Sequence, residues 1–424
     1  RAGRRPAGAA LPAVHFIYTV GCNDYQLAQG VVLDHSWRVV GTRGRLTRIV
    51  EGCHTSGERQ LLARSPLQGS PGYAVFFAEG ELETVPRSGE RYPARARPYA
   101  IAQWLNATSP TESVVALLDP DFLLLRPLSE HPGLAGARRG RAVSATGWWD
   151  AWDGTNLVCH RRPRKEDPVG HRVLNVSKGP QGASNTTKGG YRCLYLPGPI
   201  WNVTMENKYR TGPVWFFHVG DLKSLLPDWM HFTDHWPKLG DGLMREQYSL
   251  WRAASKHKIP ADFETSLATD FLEASATEPP YSLHYCRSYG YGAWAFHKSL
   301  ASSGWYAQAF NNSVPGPLTC GAPLLQEPPP PPPGERHAQT IAALIPRLSG
   351  AYRAYREAYC PGEADAFRRA GASAFGLVRT MQPARCAGEA ALPATRYRVA
   401  TGAISSWDTS PALGGGRCAA AAQA

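Results

Sequence analysis

Two aspartates, Asp119 and Asp121, interrupt an otherwise apolar stretch that covers residues 114–124. A Val/Leu-rich run of this kind is typical of a strand buried on both faces of a parallel sheet, where two unpaired negative charges are costly. A hard divalent metal held by the carboxylate oxygens would remove that cost and could neutralise a diphosphate. The pattern therefore predicts a metal site at the carboxyl end of a central strand. The alternative interpretation is a solvated turn, since short Asp-rich turns are common.

The elements that must position these aspartates alternate between strands and helices. A β-rich run at residues 14–20 is followed by a turn, a helix around residues 25–40 and a second strand at 46–50. This opening suits a doubly wound sheet whose first strand ends at a ligand crevice. The chain lacks a G-x-G-x-x-G motif after this strand, so a dinucleotide cofactor is not expected.

Later segments continue the same α/β pattern. We expect a helix around residues 100–106, a buried strand at 214–219, and a helix that Asp221 caps at its amino end. A further helix at 246–258 and a short strand at 283–285 complete the sheet-forming part. The predicted fold class is α/β, with a doubly wound mixed, mostly parallel sheet, flanking helices and a small C-terminal helical segment.

Composition divides the chain into segments. Residues 1–13 are rich in Arg, Ala, Gly and Pro and are predicted to be a disordered lead-in. The main domain is predicted to cover residues 14–325. Within it, residues 161–195 are rich in basic residues, Gly, Ser and Asn and are predicted to be an inserted loop. A run of six prolines predicts a polyproline linker over 326–334. Helical periodicity follows in an accessory segment at 335–382, and the Ala/Gly/Ser-rich tail at 383–424 is predicted to be disordered.

The charge and the cysteines narrow the partners and the compartment. The formal net charge is +12, but Arg is scattered and no nucleic-acid-binding motif is present, so no nucleic-acid partner is expected. The nine cysteines form no C-x-x-C pair, which argues against a zinc ribbon, and their odd number leaves at least one thiol unpaired or intermolecular. N-x-S/T sequons, which favour a lumenal or secreted glycoprotein, begin at Asn106, Asn175, Asn185, Asn202 and Asn311. No apolar run reaches about 18 residues, so we expect any membrane anchor to lie outside this sequence.

Five segments, in order, carry a family resemblance: residues 14–35 with 46–48, 92–105, 117–128, 218–229 and 283–298. Together they resemble the GT-A nucleotide-sugar glycosyltransferases. More narrowly, they are similar to the plant and green-algal peptidyl serine α-galactosyltransferases, relatives of the hydroxyproline O-arabinosyltransferases. The resemblance covers roughly residues 14–310.

The resemblance implies a UDP-sugar donor and a divalent metal ion, Mn²⁺ by expectation. On the matching positions, Asp119 and Asp121 would be the metal ligands of a DXD motif, and His284 the third protein ligand. Without the family, His284 is better interpreted as an ordinary strand histidine.

Other matching positions would contact the donor. Asn23 and Tyr25 would lie near the uridine, and Lys298, or failing it His297, would contact the diphosphate. Arg97 stands where the family has a lysine before proline, so a cation near the donor is retained with a different geometry.

Glu246 is the matching acidic residue on the helix that precedes the last strands. The family implies a retaining reaction, for which same-face attack assisted by the leaving phosphate and a carboxylate nucleophile are both conceivable. Glu246 would orient the donor or acceptor, or it would only cap and solvate its helix.

The implied function is transfer of galactose from UDP-galactose to serine of hydroxyproline-rich, extensin-like proteins in the lumen of the endoplasmic reticulum or Golgi. One alternative is arabinosyl transfer to hydroxyproline. Another is a non-catalytic glycan- or peptide-binding module, because Pro120 replaces a small middle residue of the motif and the helix after Glu246 is about one turn shorter than in the family. Ala96 also replaces a polar residue. Proline removes a backbone N–H where phosphate would bind.

Overall fold

The computed structural model describes these residues: 11–145, 157–161, 185–188, 191–195, 209, 212–235, 245–272, 278–286, 288–291, 294–297, 317–321, 325, 327–335 and 337–362. The strands are β1 (Val14–Gly21), β2 (Arg45–Glu51), β3 (Tyr73–Phe77), β4 (Val114–Leu118), β5 (Phe122–Leu124), β6 (Ala142–Ala145), β7 (Leu157–Arg161), β8 (Asn185–Lys188), β9 (Tyr191–Tyr195), β10 (Gly212–His218), β11 (Ala261–Phe263), β12 (Ala268–Thr269), β13 (Ser282–His284), β14 (Ser288–Tyr291) and β15 (Trp294–His297). The α-helices are α1 (Asp24–Val40), α2 (Ser56–Ala63), α3 (Ala96–Thr108), α4 (Val219–His235), α5 (Arg245–Lys256) and α6 (Ala338–Tyr359).

Seven of these strands form one mixed sheet in the order β11-β6-β10-β4-β1-β2-β3. The pairs β1/β2, β1/β4, β2/β3 and β11/β6 are parallel, whereas β10 runs antiparallel to both β4 and β6. The predicted class, a mostly parallel α/β sheet with flanking helices, is therefore confirmed, and the arrangement is GT-A-like.

The alternating side chains of the sheet supply two apolar cores, one on each face. Phe16 and Tyr18 of β1 belong to the core that also contains residues of α1 and α6, whereas Ile17 belongs to the core that contains residues of α3, α4 and α5. Because both faces are covered, the central strand β4 is apolar throughout, as the composition of residues 114–118 predicts. The acidic residues Asp119 and Asp121 follow only where this strand ends.

The apolar run at 114–124 is two strands rather than one. β4 is the central strand of the large sheet, and β5 pairs with β13 in a separate three-stranded sheet of order β12-β13-β5. Asp119, Pro120 and Asp121 connect the two strands, and the Phe122 backbone N–H donates to the Asp119 carbonyl oxygen at 3.3 Å. Pro120 is therefore at position i+1 of a β-turn, where its fixed φ is favoured.

Two predicted helix starts are corrected by the structure. Helix α3 begins at Ala96, four residues before the predicted start, because Pro98 is tolerated in a first turn. Asp221 is not an amino-terminal cap, since α4 begins at Val219. The His218 ring accepts the Gly220 backbone N–H at 3.1 Å, and Asp221 instead accepts the Gly140 backbone N–H at 2.6 Å.

Helix α6, in the C-terminal segment, packs against α1 and adds Ile341, Leu344, Leu348 and Tyr352 to the core on that face of the sheet.

Disulfides join Cys22 to Cys53 and Cys320 to Cys360, and Cys286 is a free thiol among the described residues. Strands β8 and β9 lie within the predicted inserted loop and form a small antiparallel sheet with β7, which ends where that loop begins. Residues 1–10 of the predicted lead-in, the whole predicted tail and Lys298 lie outside the described residues.

Candidate active site

The two aspartates and the predicted histidine come together at the carboxyl end of β4. The turn between β4 and β5 presents both carboxylates, and His284, the last residue of β13, is the register partner of Phe122. The His284 Nε2 atom is 3.3 Å from Asp121 Oδ2 and 4.0 Å from Asp119 Oδ2. One ligand atom from each of the three residues lies within 4.8 Å of the others. The structure therefore brings together residues that are 163 positions apart in the chain (284 − 121).

This cluster fits a divalent metal ion. Its donors are two carboxylates and one imidazole, a set that suits Mn²⁺ and related hard or borderline cations. Asp121 is 4% exposed and Asp119 is 8% exposed, so their charges are expensive without a cation nearby.

A buried carboxylate that the sequence reasoning missed lies behind His284. Asp270, fully buried after β12, places Oδ1 3.3 Å from His284 Nδ1, and Phe122 stacks on the same imidazole with ring centroids 4.9 Å apart. Burial alone lowers the pKa of His284, but Cys286, Asp121 and Asp270 outweigh it and hold the pKa well above its ordinary value. No sequence motif marks Asp270, because only the pairing of β12 with β13 and of β13 with β5 brings it to the site.

Arg97 supplies a fixed cation beside the carboxylates. Its Nη1 is 2.7 Å from Asp119 Oδ1 and 3.9 Å from Glu246 Oε2, and its Nη2 donates to the Leu118 carbonyl oxygen at 3.1 Å. The guanidinium carbon lies 4.7 Å from the centroid of the Trp215 ring, which adds a cation–π contact. The guanidinium is therefore anchored by β4, β10 and α5 together.

Glu246, in the first turn of α5, faces the same cluster. Its backbone N–H donates to the Tyr92 hydroxyl at 2.8 Å, and its backbone carbonyl accepts the Trp229 indole N–H at 2.9 Å. The side chain is buried, and Oε1 has no hydrogen-bond partner among the described residues. Burial raises the pKa of Glu246 to about 7, with Asp119 adding to the rise and Arg97 opposing it. A carboxyl group so enclosed does not solvate its helix.

The loop after β1 reaches the same edge of the sheet, because β1 is the parallel neighbour of β4. Asn23 caps α1, with its Oδ1 accepting the Gln26 backbone N–H at 2.9 Å. Burial raises the pKa of Tyr285 and Tyr352, and Tyr25 lies near enough to add to both shifts. Tyr25 therefore lies near both Tyr285, which follows His284, and Tyr352 of helix α6.

The last predicted donor contacts stay predictions. His297 is the final residue of β15, which pairs with β14, and its side chain is outside what the structure describes. Lys298 lies outside the described residues altogether.

Two curated proteins are similar to this chain. The peptidyl serine alpha-galactosyltransferase of Chlamydomonas reinhardtii is 25% identical over 229 residues, which are 54% of this chain and 26% of that protein. The Arabidopsis thaliana protein of the same name is 24% identical over 306 residues, covering 67% of this chain and 31% of that protein. The chain therefore spans less than a third of the length of either relative.

No model of a protein family matches the sequence. Among solved structures, the apo structure of the WbbM bifunctional glycosyltransferase aligns with 67% of this chain and 47% of its own, at 12% identity and a TM-score of 0.39.

The sheet order and the acidic cluster at its carboxyl edge define the class as a GT-A-like α/β fold with a candidate metal site. Within that class, the chain is similar to the two curated proteins named peptidyl serine alpha-galactosyltransferase. The resemblance that the five ordered segments predict is confirmed.

Proposed function

We propose that this chain is a metal-dependent, retaining glycosyltransferase that moves galactose from UDP-galactose to serine hydroxyls of hydroxyproline-rich, extensin-like proteins. The observation that carries the proposal is the convergence of Asp119, Asp121 and His284 at the carboxyl end of the central strand. The name that both curated relatives carry supports the choice of sugar and of acceptor residue.

In this proposal Asp119, Asp121 and His284 hold Mn²⁺. When bound, the ion compensates the diphosphate charge and stabilises the departing UDP without requiring a proton. Pro120 holds the turn that presents both carboxylates, so its place in the motif supports a working site rather than a disabled one.

The neighbouring side chains act on the two ends of the donor. Arg97, fixed against Asp119 and Trp215, adds positive charge where charge develops on the leaving group. Asn23 and Tyr25 bind the uridine end, and Lys298 or His297 contacts the diphosphate.

Glu246 is the catalytic carboxylate of the proposal. Its unpartnered oxygen and its raised pKa suit a group that exchanges a hydrogen bond or a proton with the sugar or the acceptor hydroxyl. Same-face attack and a carboxylate nucleophile both remain consistent with this placement.

The disulfides support a lumenal location. Cys22–Cys53 and Cys320–Cys360 require an oxidising compartment, which the endoplasmic reticulum or Golgi lumen provides. Among the described helices, none has the length and apolar character needed to cross a bilayer.

Calorimetry with UDP, with and without Mn²⁺, tests the donor site. We expect UDP binding that depends on the metal, and we expect Asp121→Asn to abolish both binding and transfer while the thermal unfolding temperature stays near that of the wild type. Asp228→Asn, which removes a carboxylate paired with Lys256 away from the cluster, is the matched control. If UDP does not bind, or binds equally well without Mn²⁺, the remaining interpretation is that the protein is a non-catalytic glycan- or peptide-binding module.

Product analysis then decides the donor and the acceptor. A peptide with both serine and hydroxyproline is offered UDP-galactose or UDP-arabinose, and the modified residue is located by mass spectrometry. Galactosylated serine is expected, and arabinosylated hydroxyproline would favour the alternative enzyme.

A further inference from the structure

Glu51, the last residue of β2, carries a buried carboxyl group, one oxygen of which is unpaired among the described residues. The residue is 5% exposed, and its Oε2 has no hydrogen-bond partner among the described residues. Burial raises the pKa of Glu51 to about 8, with Glu83 adding to the rise and Arg91 opposing it. A buried polar group without a partner costs free energy, so its presence at a ligand-binding edge points to a partner that arrives with the ligand.

Asn23 presents a fixed donor beside Glu51. Its Oδ1 accepts the Gln26 backbone N–H at 2.9 Å and caps helix α1. Rotating the amide by 180° would place Nδ2 against that N–H and lose the cap, so the orientation is set by the hydrogen bond. The Nδ2 atom therefore remains available as a donor.

The donor and the acceptor border one small space above Gly21. A Cβ atom placed on Gly21 would stand 3.1 Å from Asn23 Nδ2 and 3.1 Å from Glu51 Oε1. Gly21 is the register partner of Glu51 across the parallel pair β1/β2. Because β1 also neighbours β4, this pair shares the edge of the sheet that carries Asp119.

We propose that Asn23 and Glu51 together recognise the lactam edge of the donor's nucleobase, a carbonyl oxygen beside a ring N–H, and that this base is uracil. This inference rests on the proposed UDP-sugar donor. The uracil O4 accepts from Asn23 Nδ2, and the N3–H donates to Glu51 Oε1, the oxygen that borders this space. Cytosine presents the opposite order, so its amino group faces the Asn23 donor. Guanine shares the lactam edge of uracil but is a larger base.

Binding of UDP, CDP and GDP in the presence of Mn²⁺, measured by calorimetry, tests the proposal. The three ligands share the ribose and the diphosphate and differ in the base. We expect the wild type to bind UDP at least about 10-fold more tightly than CDP, because a site built for one hydrogen-bond pattern leaves groups unpaired with the other.

Two variants remove the two halves of the recognition. Glu51→Ala should weaken UDP binding by about 10-fold and leave CDP binding unchanged, which brings the ratio of the two affinities towards one. Asn23→Ser keeps a side-chain oxygen that caps α1 but removes the amide donor. The ratio of UDP to CDP affinity should therefore fall, while the unfolding temperature should stay near that of the wild type. The control is Glu79→Gln, which removes an exposed carboxyl group after β3 and should leave the ratio of UDP to CDP affinity unchanged.

The outcomes separate this inference from the function beneath it. If Asn23→Ser binds UDP with the wild-type ratio of UDP to CDP affinity, base recognition by this pair is overturned and the proposed donor site stands. This result decides the question even if Glu51→Ala does not fold. GDP binding tighter than UDP binding overturns the uracil assignment. A wild type that binds none of the three with Mn²⁺ overturns the proposed donor site and this inference with it.

Discussion

At the scale of single residues, His284 presents its two ring nitrogens to two different groups. Nε2 faces Asp119 and Asp121, whereas Nδ1 lies 3.3 Å from Asp270, which Cys286 Sγ also approaches at 3.4 Å. A hard cation favours the side with two carboxylates, which leaves Asp270 to fix the ring and its proton from behind. We therefore interpret Asp270 as a positioning residue.

Asp270→Asn tests this role. We expect the affinity for Mn²⁺ to fall by about 10- to 100-fold, because outer carboxylates orient a metal-binding imidazole and raise its basicity. Electron paramagnetic resonance of free Mn²⁺ measures this without nucleotide or turnover, and Asp228→Asn is the control. Unchanged metal affinity in a folded Asp270→Asn protein would show that this carboxylate is not required to orient His284.

Glu51 also predicts how stability depends on pH. Its pKa is raised from 4.5 to about 8 in the folded protein, so between these values the folded state holds a proton that the unfolded state has released. Stability therefore falls as the pH rises through this window, by up to about 1.4 kcal/mol per pKa unit.

The glutamine side chain in the Glu51→Gln variant cannot ionise, so the variant should not show this loss of stability with rising pH. We expect the variant to unfold at a higher temperature than the wild type at about pH 8, with a much smaller difference at about pH 5. Glu79→Gln, whose carboxylate is exposed and paired with Arg59, should show no such pH-dependent gain. A difference of equal size at both pH values would show that Glu51 does not titrate in this range.

At the scale of elements, a buried ion pair joins α1 to the sheet. Arg48 on β2 and Asp34 on α1 are both fully buried and in contact. Asp34 also accepts hydrogen bonds from Tyr18, Tyr73 and Ser65, at 2.6, 2.8 and 2.5 Å. Since α1 begins at Asp24, directly after its cap Asn23, this network sets where the loop after β1 meets the site.

Asp34→Leu should leave Arg48 as an uncompensated buried charge. We expect a loss of about 3–5 kcal/mol in the free energy of unfolding, measured by urea denaturation. Asp24→Asn, an exposed change in the first turn of the same helix, should cost under about 1 kcal/mol through the helix dipole. A loss for Asp34→Leu no larger than this control would rule out a structural role for the pair.

At the scale of the whole molecule, the C-terminal helix is fastened to the sheet-bearing part at two places. The Tyr359 hydroxyl accepts the Ser65 backbone N–H at 3.1 Å and donates to the Ser65 carbonyl oxygen at 3.0 Å. The Cys320–Cys360 disulfide closes a separation of 40 residues around the polyproline segment. Because Tyr352 of α6 lies near Tyr25, this anchoring also supports the proposed uridine end of the site.

Cys320→Ser should therefore destabilise the protein as a whole. Loop-closure entropy for this separation is worth about 4 kcal/mol, and we expect a loss of that order in urea denaturation. Cys360→Ser should show the same loss, and the double variant should lose no more than either single change, since one bond is removed in all three. Additive losses would mean that the two cysteines stabilise the fold independently.

Local chemistry explains which features of this protein the sequence could predict. The apolar runs of β1 and β4, the helix after Asn23 and the acidic pair at a strand end depend on side-chain periodicity, capping and charge within a few residues. The corrected starts of α3 and α4 arose where Pro98 was compatible with a first turn and where His218, not Asp221, accepted the Gly220 N–H. His284 and Glu246 were placed only through the family resemblance.

By itself, the sequence determined an α/β chain with a carboxylate pair at the end of a central strand, because unpaired charge is costly inside a buried strand. Only the tertiary structure decided which distant groups join that pair. The pairing of β5 with β13 brings His284 to Asp121, the parallel register of β1 and β2 sets Glu51 beside Gly21, and β12 brings in Asp270. Such neighbours depend on strand order and register, over 14 residues for Asp270 and His284 and over 163 for Asp121 and His284, and no local pattern of side chains encodes them.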